Sequence, residues 1–158
     1  MDVAATHGHP GGRLDAMGRS LDTSDALDWV FAAPRTAKLA TVTAQGAPHV
    51  APVWVARDGD RLVFNTGAET VKGRALARDP RVSMCFDDER PPFAFVLVQG
   101  TAELSEEPDA LLRWATTIAG RYMGEELAEQ YGRRNGVPGE LLVTVTPTRV
   151  LGELGVAD

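Results

Sequence analysis

The 158-residue chain is expected to form one mainly-β domain of the α+β class, a predominantly antiparallel sheet with helices at its ends. Three observations point there. Short apolar or alternating runs recur along the chain and amount to about seven strands. Several of them are joined by short reversals, of which Gln45-Gly46 and Asp58-Gly59 have hairpin chemistry. No strand-helix-strand repeat is present, which disfavours a doubly wound parallel sheet. A sheet of this many strands in a small domain has exposed edges, and closure into a barrel removes them.

Taken in order, residues 1–20 ("MDVAATHGHPGGRLDAMGRS") read as a flexible leader, with a single domain over 21–158. The leader lacks the continuous apolar core of a secretory signal. Thr23 or Ser24 caps a helix running through Ala33, with Leu27, Val30 and Phe31 on one face. Pro34 stops it. "AKLATVTAQGAPHVAPVWVARDGDRLVFNT" then reads as three strands. The run Val50–Val55 contains Pro52, which donates nothing to a ladder. That strand should have an edge, a bulge or a ligand at this point.

Further on, "RVSMCFD" alternates Val82, Met84 and Phe86 with Ser83, Cys85 and Asp87, a half-buried strand. "DDERPP" is a polar loop, and "FAFVLVQGTAEL" is a strand apolar enough for burial on both sides. Pro108 opens a helix that carries Leu111, Leu112, Ala115, Ile118 and Ala119 at helical spacing. "GEELAEQYGRR" is a second, more polar helix, and "ELLVTVTPTRVLGEL" gives two strands around Thr146-Pro147.

The formal charge of −6 removes any overall electrostatic attraction to nucleic acid or anionic membrane. Cys85 is the only cysteine, so no intramolecular disulfide can form, which fits the reducing cytoplasm. No segment approaches the roughly 20 apolar residues of a membrane span.

One stretch carries chemistry: "NTGAETVKGRALARDP", residues 65–80. The chain has only two lysines, Lys38 and Lys72, and one of them lies here with Arg74 two places on. Thr66-Gly67 ends a strand, and Glu69 or Thr70 caps a short helix that Asp79-Pro80 ends, with Val71, Ala75 and Leu76 toward the core. First-turn N–H groups lack partners and favour an anion. Thr66 and Thr70 add hydroxyls, Lys72 and Arg74 add charge, and Gly73 lets a ligand approach the backbone. The set suits a phosphate or phosphodiester; the plain alternative is a solvated pair of surface cations.

"KLATVTAQGAPHVAPVWV", "GDRLVFNTGAETVKGRALARDPRVSMCFDDERPPFAFVLVQGTAEL" and "VTVTPTRVLGEL" together resemble the pyridoxamine-phosphate-oxidase-like split-barrel proteins. Within that family the chain is most similar to the branch that uses the deazaflavin coenzyme F-420, found mainly in actinobacteria. The resemblance covers about residues 24–154. It implies a six-stranded antiparallel split β-barrel and a homodimer with cofactor sites at the subunit interface. It places Lys72 and Arg74 at the cofactor phosphate, with Asn65, Thr66, Thr70, Val71 and Gly73 beside them. Val50, Ala51, Pro52 and Val53 fall on the strand along the deazaflavin ring, and Phe93 falls where an aromatic approaches it. FMN offers the same ring and phosphate and stands as the alternative. The end "TPTRVLGELGVAD" departs from the vitamin-B6 oxidases of the superfamily, which carry a basic, Trp-containing signature, and this disfavours pyridoxamine phosphate oxidation.

Other residues read plainly. His49 is a surface or core histidine or a proton donor near the ring. His7 and His9 have no further clustered ligands, so no metal site is expected. Cys85 is a packed thiol. Asp87, Asp88 and Glu89 form a solvated loop, Trp29 and Trp114 pack, and Trp54 lines the pocket mouth or fills the core. No nucleophile has a base partner, so no catalytic side chain is named. The expected activity is hydride transfer from reduced F-420 to a small organic acceptor, the coenzyme carrying the chemistry. A carrier or sensor without turnover is the alternative.

Overall fold

Alternating apolar residues and glycine turns build a single antiparallel sheet in the computed structural model, which describes residues 19–157. The elements in order are β1 (Arg19–Leu21), α1 (Thr23–Phe31), β2 (Ala37–Val42), β3 (Pro48–Val53), β4 (Ala56–Asp58) and β5 (Arg61–Gly67). They continue with α2 (Val71–Arg78), β6 (Arg81–Asp88), β7 (Ala94–Ser105), α3 (Pro108–Met123), α4 (Glu125–Asn135) and β8 (Glu140–Leu154). The strand order is β3-β2-β6-β7-β8-β5-β4, with β1 also paired to β8. Among the described residues that seven-strand path is open, and with β1 the sheet has eight strands, more than the seven read from the sequence and the six that the resemblance implies.

The extra strands have local causes. The segment read as three strands is four, because the run through Val55 stops at Val53 and resumes at Ala56. The sheet also takes in Arg19 and Ser20, assigned above to the leader: β1 sets Arg19 opposite Leu154 and Ser20 opposite Glu153. His7 and His9 lie outside the described residues. Conversely, the two strands expected around Thr146-Pro147 are one, β8, of 15 residues. A register shift between Gln99 and Gly100 absorbs the proline, which pairs with Gly100. Both glycine turns hold, with φ of 77° at Gly46 and 61° at Gly59.

Capping decides the helix ends. Asp22, rather than Thr23 or Ser24, caps α1: its carboxylate accepts from the Asp25 N–H at 2.8 Å, and the helix ends at Phe31 rather than Ala33. The guanidinium of Arg121, on α3, donates to the carbonyls of Phe31 (2.9 Å), Val30 (3.2 Å) and Ala33, closing the other end of α1. At α2, Thr70 is the cap, and Val71 is exposed rather than directed to the core.

The main core lies on one sheet face under α1: Leu27 and Val30 meet Leu39, Phe64, Met84, Phe86, Val96 and Val98. Each large side chain buried there contributes roughly 1.5–3 kcal/mol. β5 is covered on both faces, because Val63 on its far side packs with Leu111 of α3 and Leu142 of β8. β7, expected to be buried on both sides, is not: Val96, Val98 and Ala102 are buried while Gln99, Thr101 and Glu103 are exposed. The opposite sheet face therefore stays open. Among the described residues no helix is long and apolar enough to cross a membrane.

Candidate functional site: an anion cradle beside an aromatic wall

The end of β5, the start of α2, the end of β3 and the α3–α4 pair converge on a cavity of about 340 Å³. From the sequence-predicted residues it is lined by Pro52, Val53, Asn65, Thr66, Thr70 and Lys72. Its lining contains no aspartate or glutamate. Lys72 is thus the charged group of the cavity, and its ammonium has no ion pair among the described residues. Lys38, the other lysine, is paired with Asp87.

The cradle is built by capping. The Thr70 hydroxyl accepts from the Gly73 N–H at 3.0 Å and donates to the Gly67 carbonyl at 2.8 Å. Its one proton is thereby used, so in the 3.2 Å contact with Thr66 the Thr66 hydroxyl is the donor. Neither threonine has a proton left for a ligand. The donors that face an anion are the Lys72 ammonium and the first-turn N–H groups of Val71 and Lys72, which have no partner among the described residues. That donor set, in a cavity without acids, fits a phosphate group.

Gly73 has a reason different from the one expected. A Cβ there would lie 2.3 Å from the Gly67 carbonyl oxygen and 2.8 Å from that of Ala68. The glycine lets α2 pack on the loop that precedes it; it does not open the backbone to a ligand.

The remaining expected residues go elsewhere. Arg74 is two places from Lys72, and positions i and i+2 of a helix do not share a face. It lines a separate groove with Val71, Gln45 and Arg78, and pairs with Glu69 at 3.4 Å. Val50 and Ala51 do not line the Lys72 cavity; Val50 is 62% exposed on the open face of the sheet. Phe93, at a φ of 64°, lines another cavity of about 360 Å³ with Trp29, Asp88 and Leu154. One chain therefore does not bring Phe93 to Lys72. Pro52 meets its expectation: β3 is an edge strand.

The structure adds Thr36, Ile118, Ala119 and Asn135 to the lining, and of the two places read for Trp54, pocket mouth or core, it puts the residue at the cavity. Trp54 sits in the gap between β3 and β4 and stacks on Tyr122 of α3, ring centroids 4.9 Å apart and planes 5° from parallel. The Tyr122 hydroxyl donates to the Arg35 carbonyl at 2.5 Å and accepts from the Val55 N–H at 3.2 Å. Asn65 donates to the Asn135 carbonyl and to Glu140, both at 3.4 Å, tying β5 to the end of α4. The contribution of α3 and α4 has no local sequence signal; only the proline-broken strand before Trp54 marked that residue.

Acid–base candidates outside the cavity are quiet. The hydrogen bonds from Arg90 hold the Asp88 carboxyl well below the usual carboxylate range. Burial, and then Asp87, push the Cys85 thiol up, against a smaller pull from Lys38. His49 lies opposite Thr41 and does not line the cavity. No cluster of metal-ligating side chains occurs among the described residues.

The antiparallel sheet, with this cavity at one end, is a flavin-type cofactor-binding fold. The chain belongs to the pyridoxamine 5'-phosphate oxidase family, whose model matches residues 23–152. A pyridoxine/pyridoxamine 5'-phosphate oxidase from Burkholderia mallei is 33% identical over 110 residues, covering 67% of this chain and 50% of the relative. The chain thus spans about half the length of the curated relatives it matches. Among solved structures, the conserved hypothetical protein Rv2991 from Mycobacterium tuberculosis is 29% identical, with 82% of each chain covered and a TM-score of 0.71. An F-420 reductase is 26% identical, covering 78% of this chain and 94% of the other, with a TM-score of 0.62. Haem-binding and FAD-binding proteins at 20% and 19% identity share the fold, so the fold by itself does not name the ligand.

Proposed function

We propose that the protein is an oxidoreductase that binds reduced coenzyme F-420 in the cavity at Lys72 and serves hydride transfer to a small organic acceptor. The observation that carries this reading is the Lys72 ammonium, which among the described residues has no ion pair, beside first-turn N–H groups that have no partner there, in a cavity whose lining contains no acid. The likeness to an F-420 reductase supports the choice of ring. When bound, the coenzyme supplies the hydride. The chain's own work is binding and orientation. Lys72 and the α2 N-terminus hold the phosphate, and the Pro52–Val53 edge lies along the ring. Ile118 and Ala119 exclude water. No side chain is asked to act as nucleophile, and the single cysteine fits a cytoplasmic setting.

The proposal includes a homodimer. On the open sheet face, the β-ladders set Pro52, Lys38, Cys85, Leu97 and Leu151 in one cross-strand row. Leu151 is 44% exposed there, and the row ends at Pro52 on the cavity rim. A second copy on this face would cover Leu97 and Leu151 and border the cavity.

The test is titration of the full chain with F-420 and, separately, FMN, followed by absorbance and fluorescence. F-420 should bind at micromolar concentration, and Lys72→Ala should weaken it by about 1.5–3 kcal/mol, the range for a charge-assisted hydrogen bond. Binding of FMN alone moves the protein to flavin chemistry on the same cradle. Stopped-flow oxidation of bound reduced coenzyme by enones, quinones, tetrapyrroles and pyridoxamine phosphate separates an enzyme from a carrier or sensor. A carrier gives no rapid phase with any of them.

A further inference from the structure

Trp54 and Tyr122 form a fixed aromatic pair at the cavity that packing alone does not explain. Trp54 is 38% exposed and lines the cavity with Lys72, whereas Tyr122 does not line it. One face of the indole is therefore backed by Tyr122, and Trp54 remains open to the cavity. An indole serving only as core would be covered, and a loose surface indole would not be clamped. Here the clamp has two jaws. The Tyr122 hydroxyl bonds to backbone on both sides of the Trp54 segment, at the Arg35 carbonyl before β2 and at the Val55 N–H directly after Trp54. The indole is pre-oriented in the one place where β3 gives way to β4. Rigid aromatic walls of this kind take planar rings, because stacking needs a flat partner and loses little side-chain freedom.

We infer that Trp54 is the stacking wall for the planar ring of the phosphorylated ligand and that Tyr122 is the positioning residue that holds it. This rests on the reading of the cavity as a ring-plus-phosphate site but not on which coenzyme fills it. The two ends of the ligand are then read by separate residues: Lys72 takes the phosphate and Trp54 takes the ring.

The test separates those ends. Dissociation constants are measured for FMN and F-420, for lumiflavin as a ring without phosphate, and for inorganic phosphate as competitor, with the full chain and its variants. Trp54→Leu should weaken lumiflavin and FMN by about fivefold or more, the range for loss of an aromatic stack, and leave inorganic phosphate within about twofold. Trp54→Phe should keep the ring ligands within about threefold. Tyr122→Phe keeps the ring but drops the clamp, and should weaken lumiflavin severalfold with phosphate again unmoved. Lys72→Ala should show the reverse split. Unchanged lumiflavin and FMN affinity in Trp54→Leu overturns this inference while leaving the cradle intact. Equal losses for ring and phosphate overturn it too, since they mark a general loss of structure. If the wild-type chain binds neither FMN nor F-420, the site reading and this inference fall together.

Discussion

At the scale of single residues, Gly73, Lys72 and Asp79 show how one short helix is fixed at both ends. Gly73 lies against backbone oxygens that cannot retreat. Gly73→Ala should therefore destabilise the protein by about 1–3 kcal/mol, the range for overpacking, as read by urea denaturation. Without the close contact, alanine would stabilise a helix interior, so the sign of the change is itself the test. At the other end, hydrogen bonds from Arg81 lower the Asp79 carboxyl from 3.8 to about 2. A carboxyl lowered on folding adds stability above its unfolded value and loses it as pH falls through the folded one. The difference in unfolding midpoint between the wild type and Asp79→Asn should hold above about pH 4 and shrink toward pH 2. The resemblance gave Lys72 and Arg74 one role. The helix period separates them, and the free ammonium of Lys72 is the half that meets the cavity.

At the scale of elements, α1 is held from outside. Its last carbonyls accept from Arg121 of α3, the helix that also supplies Ile118 and Ala119 to the cavity wall. Arg121→Ala should cost about 1.5–3 kcal/mol, as expected for hydrogen bonds from a charged donor. Arg121→Lys should recover only part of it, because an ammonium lacks the planar fork that reaches several carbonyls. Both follow from thermal or urea unfolding. The strands were legible where their signals are local: Val82, Met84 and Phe86 alternate inward as read, and the glycine turns stand where they were placed. They were illegible where the cause is remote. Pro147 stays inside β8 because Thr148 beside it bulges, left without a partner between the Gln99–Arg149 and Gly100–Pro147 pairs, and that register is set by β7 rather than by "TPTR". Trp54 interrupts a strand because Tyr122, far along the chain, takes the next N–H.

For the whole molecule, the open face of the sheet is the feature that a single chain leaves unresolved. Leu97 and Leu151 pair across β7 and β8 on that face, and Val50 stands out on the edge strand. If this face is covered by a second copy, Leu97→Arg should shift the molar mass in light scattering from that of a dimer to that of one chain. A charge that cannot be paired in an apolar contact is enough to do so. Coenzyme affinity should fall with it, since the cavity rim at Pro52 borders the same face. A wild-type chain that scatters as a monomer at low concentration and still binds coenzyme would remove the dimer from the proposal.

The amino-acid sequence by itself determined the antiparallel β class, the helices, the turn glycines and the start of α2, with its cap narrowed to Glu69 or Thr70. Those depend on residues within a few positions of one another, where propensity, periodicity and capping act directly. Only the tertiary structure decided which residues share the cavity. It kept Lys72 and turned Arg74 away, sent Phe93 to another cavity, put Trp54 at the cavity rather than in the core, and brought Ile118 and Asn135 in from α3 and α4. A cavity is made by surfaces that meet through sheet register and helix packing, and those are set by the burial of a common core rather than by neighbours in the chain.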